Sequence, residues 1–542
     1  MTLDHPPIAP STTGRTLATS RWDADDAVDL AEATIADLVR DRAREHPDVL
    51  ALVGVRHDGS ALRASYTELL TAAREVAAGL RRVAAPGDHV ALWAPNVAEW
   101  PVIEYGAALA GVVLVALNPV LRGPELDYAL RLSRASVLIH ADVSRDYDMA
   151  AVARSVVDDL PALRHRISLG DPDRLRATPG DDATVDPASP AMIQFTSGTT
   201  GHPKAVLLAH RSLVNNARLT MITGEVPARS VGIAPLPMFH TAACVISTLG
   251  PAWLGGTQVL IEKFAPGEVL AAMAAEDADV LFSVATVLGA VLEAARGADG
   301  PAPQLSTVLV GASTVPGSMI EAVERTFGAS VHNLFGQTEL SPVLSLTRRT
   351  DTREDLTTKV GRPLPHTAAQ IVDPVGGEVV PIGQQGEICA RGYSQMIEYF
   401  DDADATASTV DAEGWLHTGD LGTMDDRGLI TVTGRLKEII IRGGENIAPA
   451  EIEIALAAHP QVLRVAVLGL PDEHWGEIVA AAVVVRDPAA EGVRDDLEAF
   501  ARERLATYKV PARWFLVDDL PTTPSGKVQK FALRDELVGS VL

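Results

Sequence analysis

The strongest constraint on the fold is an alternation: over most of the first 430 residues, short runs rich in Val, Ile and Leu take turns with longer helical stretches. Strands that read as continuous apolar runs are buried on both faces, and the intervening helices supply both crossover and cover. The pattern predicts an α/β fold, a large N-terminal unit of parallel sheets covered by helices. His89–Trp93 reads as a strand, Asn96–Leu109 as the following helix and Val112–Leu117 as the next strand. The most apolar stretch, Gly106 to Leu117, falls short of the roughly 20 residues a membrane span needs. Glu104 and Asn118 bracket it, so it reads as a buried helix passing into a buried strand. Loops are expected over about the first 20 residues, over the acidic Gly170–Pro190 segment and over Ala295–Gln304.

After Gly434 the pattern changes to short strands and helices: KEIII, a GGENIAP turn, the helix AEIEIALAAH, then the strands LRVAVLGL and IVAAAVVVR. This divides the chain into a large unit over 1–433 and a small α+β unit over 434–542. Pro449 suits the first turn of its helix, where a missing N–H costs nothing. The segment LPTTPSGKVQKFALRDEL places a loop carrying Lys527 just before a final helix.

Composition excludes several functions. With 71 acidic and 46 basic residues the net charge is −25, a field that repels nucleic acids and anionic membrane surfaces, and no Lys/Arg cluster overrides it. Cys244 and Cys389 are too few for a disulfide framework or a structural zinc site, and no Cys/His cluster surrounds either in the sequence. A reducing, cytoplasmic location is expected. The first residues, MTLDHPPIAPSTTGR, carry an early acid and prolines instead of a charged lead and apolar run, so no secretory signal is read there.

The chemistry is concentrated in a few strings. Ile193 to His210, IQFTSGTTGHPKAVLLAH, reads as strand, loop, strand. Gly198 and Gly201 let backbone approach a ligand, Ser197, Thr199 and Thr200 add hydroxyls around amides that can face phosphate oxygens, and Lys204 supplies charge. The spacing differs from the G-x-x-x-x-G-K-[ST] phosphate loop. The string TSGTTGHPK resembles the phosphate loop of the adenylate-forming superfamily, which holds acyl- and aryl-CoA synthetases, peptide-synthetase adenylation domains and firefly luciferase. LFGQTEL (Leu334 to Leu340), GWLHTGDLG (Gly414 to Gly422), GRLKEIIIRGGENIAPAEIE (Gly434 to Glu453) and PTTPSGKVQK (Pro521 to Lys530) match its other motifs in order.

The resemblance implies roles residue by residue. Thr196, Ser197, Gly198, Thr199, Thr200, Gly201 and Lys204 would hold ATP phosphates, with Ser313, Phe335 and Gly336 also at the nucleotide. Thr338 would contact phosphate and Glu339 would ligate Mg²⁺, a hard cation that takes carboxylate oxygens. Asp420 would hold the ribose hydroxyls, with Arg435 at the same sugar. Lys527 would be the catalytic lysine between the substrate carboxylate and the α-phosphate, Lys437 the hinge about which a mobile C-terminal unit swings, and Gly443 and Gly444 the lining of the CoA channel. His240, in APLPMFHTAAC, and Gly311 would belong to the acyl pocket. His240 stands where amino-acid-adenylating relatives place Asp, which favours a neutral-tailed acid over an α-amino acid. Three positions depart from the family's usual pattern: Phe335 for Tyr, Ala205 for Gly and Ala285 for Pro.

The activity implied is an ATP- and Mg²⁺-dependent acid:CoA ligase that forms acyl-AMP and then an acyl-CoA thioester. The GQTELSP and GGENI spellings resemble fatty-acyl and aryl-CoA ligases. A carrier-protein phosphopantetheine or an amine stays open as the acceptor, as does nitrite as the activated oxyacid in diazotase-like relatives.

Overall fold

The computed structural model describes residues 15–26, 28–157, 160–196, 203–298, 300–311, 315–442, 445–472, 474–487, 492–522 and 528–541. Seven of the expected site residues lie outside them: Ser197, Gly198, Thr199, Thr200, Gly201, Ser313 and Lys527. So do the channel glycines Gly443 and Gly444.

Two helix-covered sheets dominate. In the first, the strands His165–Ser168, Val137–His140, His89–Trp93, Val113–Leu117 and Pro190–Thr196 run parallel, and Lys204–Ala209 and Glu398–Tyr399 complete the edge antiparallel. In the second, six parallel strands include Val231–Ala234, Val280–Val284, Thr307–Gly311 and Ser330–Gly336, with antiparallel strands at both edges. A third sheet was not visible in the sequence: Arg21–Trp22, Thr367–Val372, Gly386–Gly392, Leu416–Met424 and Ile430–Arg435 pair entirely antiparallel.

The strand His89–Trp93 lies where the apolar run places it, but the helix after it begins at Glu99, not Asn96. Asn96 turns its amide sideways instead, donating to Leu236 O (2.8 Å) and Ile261 O (3.1 Å) and accepting from Met238 N (2.8 Å). The helix Glu99–Ala110 is buried on every side from Trp100 onward, its largely apolar sequence carrying one buried acid, Glu104. It lies so close to the helix Tyr66–Leu80 that a Cβ at Gly106 would stand 2.7 Å from Val76 Cγ1. The expected loops are partly ordered: Pro172–Leu175 is helical, the helix Ala285–Gly297 runs into the third loop, and Asp182 pairs with Arg74 at 2.8 Å.

The C-terminal strands Ile440–Arg442, Glu445–Ile447, Val462–Asp472, Gly476–Val485 and Arg513–Leu516 form one sheet. Alternation divides its apolar run between two cores, because successive side chains point to opposite faces. Val479, Ala481 and Val483 pack with Ile452 and Leu456 of the helix Pro449–Ala457, while Ala480 and Ala482 pack with Leu533 and Leu537 of the final helix, Lys530–Val541. Among the described residues no helix is long and apolar enough to cross a membrane.

Candidate active site

Four of the expected site residues lie at the carboxyl ends of parallel strands, where open α/β sheets bind ligands. Thr196 ends Pro190–Thr196, Gly311 ends Thr307–Gly311, and Phe335 and Gly336 end Ser330–Gly336. Thr196 pairs directly with Lys204 across the antiparallel hairpin. Ala205 is buried in that second strand, and its carbonyl accepts from Phe400 N at 2.7 Å. Ala285 is the first residue of its helix, a position that favours Pro but that Ala, the best helix former, also fills.

A side chain absent from the sequence reasoning ties the two large sheets together. Tyr399, on the edge strand of the first sheet, donates its hydroxyl to Glu339 Oε1 at 2.7 Å. Glu339 lies on the 3₁₀ turn Thr338–Leu340 that follows the second sheet's strand Ser330–Gly336. The Lys204 ammonium sits over the Tyr399 ring, 4.3 Å from its centroid. Burial and then the neighbouring Glu339 carboxylate push the Tyr399 phenol up, so it stays a donor. The available signal was Tyr399 inside the string EYFDDADAT, too short to declare a strand.

Glu339 is 8% exposed and no ion pair engages it among the described residues. Tyr399 fixes one oxygen, and Oε2 takes no hydrogen bond from a described residue. A nearly buried carboxylate held by a neutral donor fits a hard divalent cation, which would supply the missing positive charge. Gly336 has a backbone reason: a Cβ there would stand 1.9 Å from Pro342 O and 2.8 Å from Leu344 N.

Asp420 and Arg435 are cross-strand partners on the third sheet, with Arg435 Nε 2.8 Å from Asp420 Oδ1. Asp420 is buried and Arg435 exposed, so the pair opens toward solvent from the arginine side. Lys437 is exposed on the 3₁₀ turn Leu436–Glu438, between this sheet and the C-terminal one. Its neighbour Glu438 is held at 2.8 Å by Lys530, which also meets Glu453 at 2.8 Å. His240 is half-buried with its ring 4.3 Å from that of Phe239, and a π-helix, Ala242–Ser247, follows directly. Such wide turns recur at functional sites.

Cys389 is not isolated from histidine in space: strand pairing brings His417 Nδ1 to 3.5 Å from its sulfur, and Glu387 Oε2 lies 2.8 Å from the same nitrogen. Burial and then Glu387 and Asp411 push the Cys389 thiol up.

Comparison with known proteins agrees with this geometry. The AMP-binding enzyme family matches residues 39–400, and the AMP-binding enzyme C-terminal domain matches residues 451–527. A feruloyl-CoA synthase of an Amycolatopsis species is 36% identical over 91% of this chain and 97% of its own length. The structure of a Mycobacterium tuberculosis fatty acyl CoA synthetase is 29% identical, with a TM-score of 0.74 over 94% of this chain and 99% of that one. ATP-bound MatB from Rhodopseudomonas palustris is 28% identical, with a TM-score of 0.81 over 92% of this chain and 98% of that one.

Proposed function

The chain belongs to the AMP-binding enzyme family, and from that membership we propose how its residues divide the work of an AMP-forming acid–thiol ligase. ATP and a carboxylic acid give acyl-AMP and pyrophosphate, and CoA then displaces AMP to give the acyl-CoA thioester. Activation is needed because a carboxylate is anionic and lacks a good leaving group; the mixed anhydride provides one. No covalent enzyme intermediate is required, so positioning and charge stabilisation account for the acceleration.

In this reading Thr196, Lys204 and the loop residues Ser197 to Gly201 bind the ATP phosphates, with Ser313 and Thr338 beside them. Phe335 offers a ring face to adenine and Gly336 lets backbone approach it. Asp420 accepts the ribose hydroxyls, and Arg435, already 2.8 Å from that carboxylate, holds it in place. Glu339 is the magnesium ligand; a bound Mg²⁺ would neutralise phosphate charge. Lys527 meets the substrate carboxylate and the α-phosphate as they approach, lowering the cost of bringing two anions together. We place the boundary between the units at 433/434, with Lys437 as pivot and Gly443 and Gly444 beside the pantetheine arm. The acid is neutral-tailed, aromatic or aliphatic, with His240 and Gly311 along its tail, and the two free, buried cysteines suit a reducing compartment such as the cytoplasm.

The observation that carries this reading is the convergence of Lys204, Tyr399 and Glu339 where the phosphate-loop hairpin meets the LFGQTEL turn. A panel of fatty, aryl, cinnamic and α-amino acids, assayed for acid-dependent ATP–pyrophosphate exchange, tests it, with CoA, a carrier protein and an amine compared as acceptors. Neutral-tailed acids and CoA should win; preference for an amino acid would overturn the substrate assignment. Lys527→Ala should slow adenylation by about 10²–10³ yet still convert supplied acyl-AMP with CoA. Normal adenylation by that variant would refute the lysine's role.

A further inference from the structure

The third sheet carries a second cluster with the chemistry of a cation site, apart from the carboxylate assigned to magnesium. Pairing of Gly386–Gly392 with Leu416–Met424 sets Cys389 directly opposite His417. Glu387, two residues before Cys389, shares its face of the strand, and a register shift between the two keeps both within reach of the same imidazole. Cys389 Sγ lies 3.5 Å and Glu387 Oε2 2.8 Å from His417 Nδ1, and the three ligand atoms all fall within 4.8 Å of one another.

These spacings suit a tetrahedral ion. Sulfur and nitrogen bound to one zinc ion at about 2.3 and 2.0–2.1 Å stand about 3.5 Å apart, the distance already present between Cys389 and His417. The Glu387–His417 contact is a hydrogen bond about 0.5 Å shorter than the corresponding ligand edge, so only a small side-chain shift separates the two arrangements. The far ring nitrogen of His417, Nε2, lies 3.6 Å from Asp411 Oδ2, and Asp411 is itself fixed by the Glu413 and Trp415 amides at 2.9 and 2.8 Å. A carboxylate behind the unligated nitrogen is the usual support of a metal-binding histidine. Cys389 and Glu387 are buried while a third of the His417 side chain is exposed, which leaves a solvent-facing side for entry and a water ligand.

We propose that Glu387, Cys389 and His417 form a binding site for one thiophilic divalent cation of the zinc class, with Asp411 orienting the imidazole. Sulfur and imidazole donors select such an ion over Mg²⁺, which takes oxygen ligands in octahedral geometry. The cation supplies positive charge to a spot holding two carboxylates and so favours the thiolate form of Cys389. The site touches the catalytic surface: Glu387 Oε1 accepts from Gly419 N at 3.0 Å, one residue before Asp420. Occupancy therefore stiffens the turn that presents the ribose carboxylate.

Titration of the metal-free, full-length chain with Co²⁺ in excess Mg²⁺ tests the proposal. One equivalent should give a thiolate-to-cobalt charge-transfer band in the near ultraviolet with strong tetrahedral visible bands, and Zn²⁺ should bleach both. Cys389→Ala removes only a sulfur and should abolish the charge-transfer band, with folding checked by circular dichroism, whereas Cys244→Ala should keep it. Asp411→Asn should weaken Co²⁺ affinity about 10- to 100-fold while preserving the spectrum. A wild-type protein without the band, or a band that survives Cys389→Ala, overturns the site.

Discussion

Tyr399→Phe deletes one oxygen and leaves the ring on which Lys204 rests, so it isolates the 2.7 Å hydrogen bond to Glu339. Hydrogen bonds to charged groups contribute about 1.5–3 kcal/mol, which at about 1.4 kcal/mol per decade is roughly a 10- to 100-fold effect. Because Glu339 is 8% exposed, little water can replace the phenol, and the carboxylate loses the group that fixes its orientation. The expected outcome is a half-saturating Mg²⁺ concentration for acid-dependent pyrophosphate release about 10- to 100-fold higher than in the wild type. Conversion of supplied acyl-AMP with CoA should be unchanged. Calorimetric titration of Mn²⁺ into the ATP-bound protein should show the same loss of affinity without turnover. If Tyr399→Phe lowers the adenylation rate while the Mg²⁺ and Mn²⁺ dependences stay at wild-type values, the tyrosine only packs the sheet edge and the reasoning fails.

Gly336→Ala should cost about 3 kcal/mol or more in urea unfolding, because its Cβ would meet the backbone of Pro342 and Leu344 and no flexible side chain can yield; wild-type stability would show that the turn adapts. His210 is pushed down to about 4 by burial. Its folded pKa lies below the unfolded value of about 6.5, so the stability it supports is present above about pH 6.5 and is lost as pH falls toward 4, by about 3 kcal/mol. His210→Asn should flatten that part of the pH–stability curve relative to wild type, and parallel curves would refute the assignment. Lys437→Pro should leave acyl-AMP formation near wild type and depress thioester formation, since it fixes φ at the proposed pivot; equal loss in both half-reactions, measured separately, would count against a hinge there.

Legibility in the sequence followed the range of the forces involved. Strands such as His89–Trp93 and Val113–Leu117 were readable because burial on both faces leaves uninterrupted apolar runs. The third sheet was not, because strands such as Leu416–Met424 interrupt their apolar residues with His, Thr, Gly and Asp and so lack an apolar run. The helix expected from Asn96 started late because Asn96 serves a distant loop, a tertiary demand no local periodicity encodes. Motif residues such as Glu339 and Asp420 stood out by spelling, whereas Tyr399, 60 residues beyond Glu339, acquires its part only when the two large sheets meet. The Cys389–His417 contact was hidden for the same reason: strand register, not sequence proximity, creates it.

Asn96 also sets a rule for anyone recombining this protein with its relatives. Its amide leaves the turn after a strand of the first sheet and clasps backbone at Leu236, Met238 and Ile261, just past the ends of two strands of the second. On the proposed placement of His240 along the acid's tail, specificity is therefore not a module confined to the stretch around it. A graft that exchanges residues 234–261 for another enzyme's would carry over the proposed pocket wall but not the peg on which it hangs. Crossover points that keep the Asn96 turn together with its three backbone partners should give folded hybrids, and cuts between them should leave the transplanted wall free to sag into the acid's path.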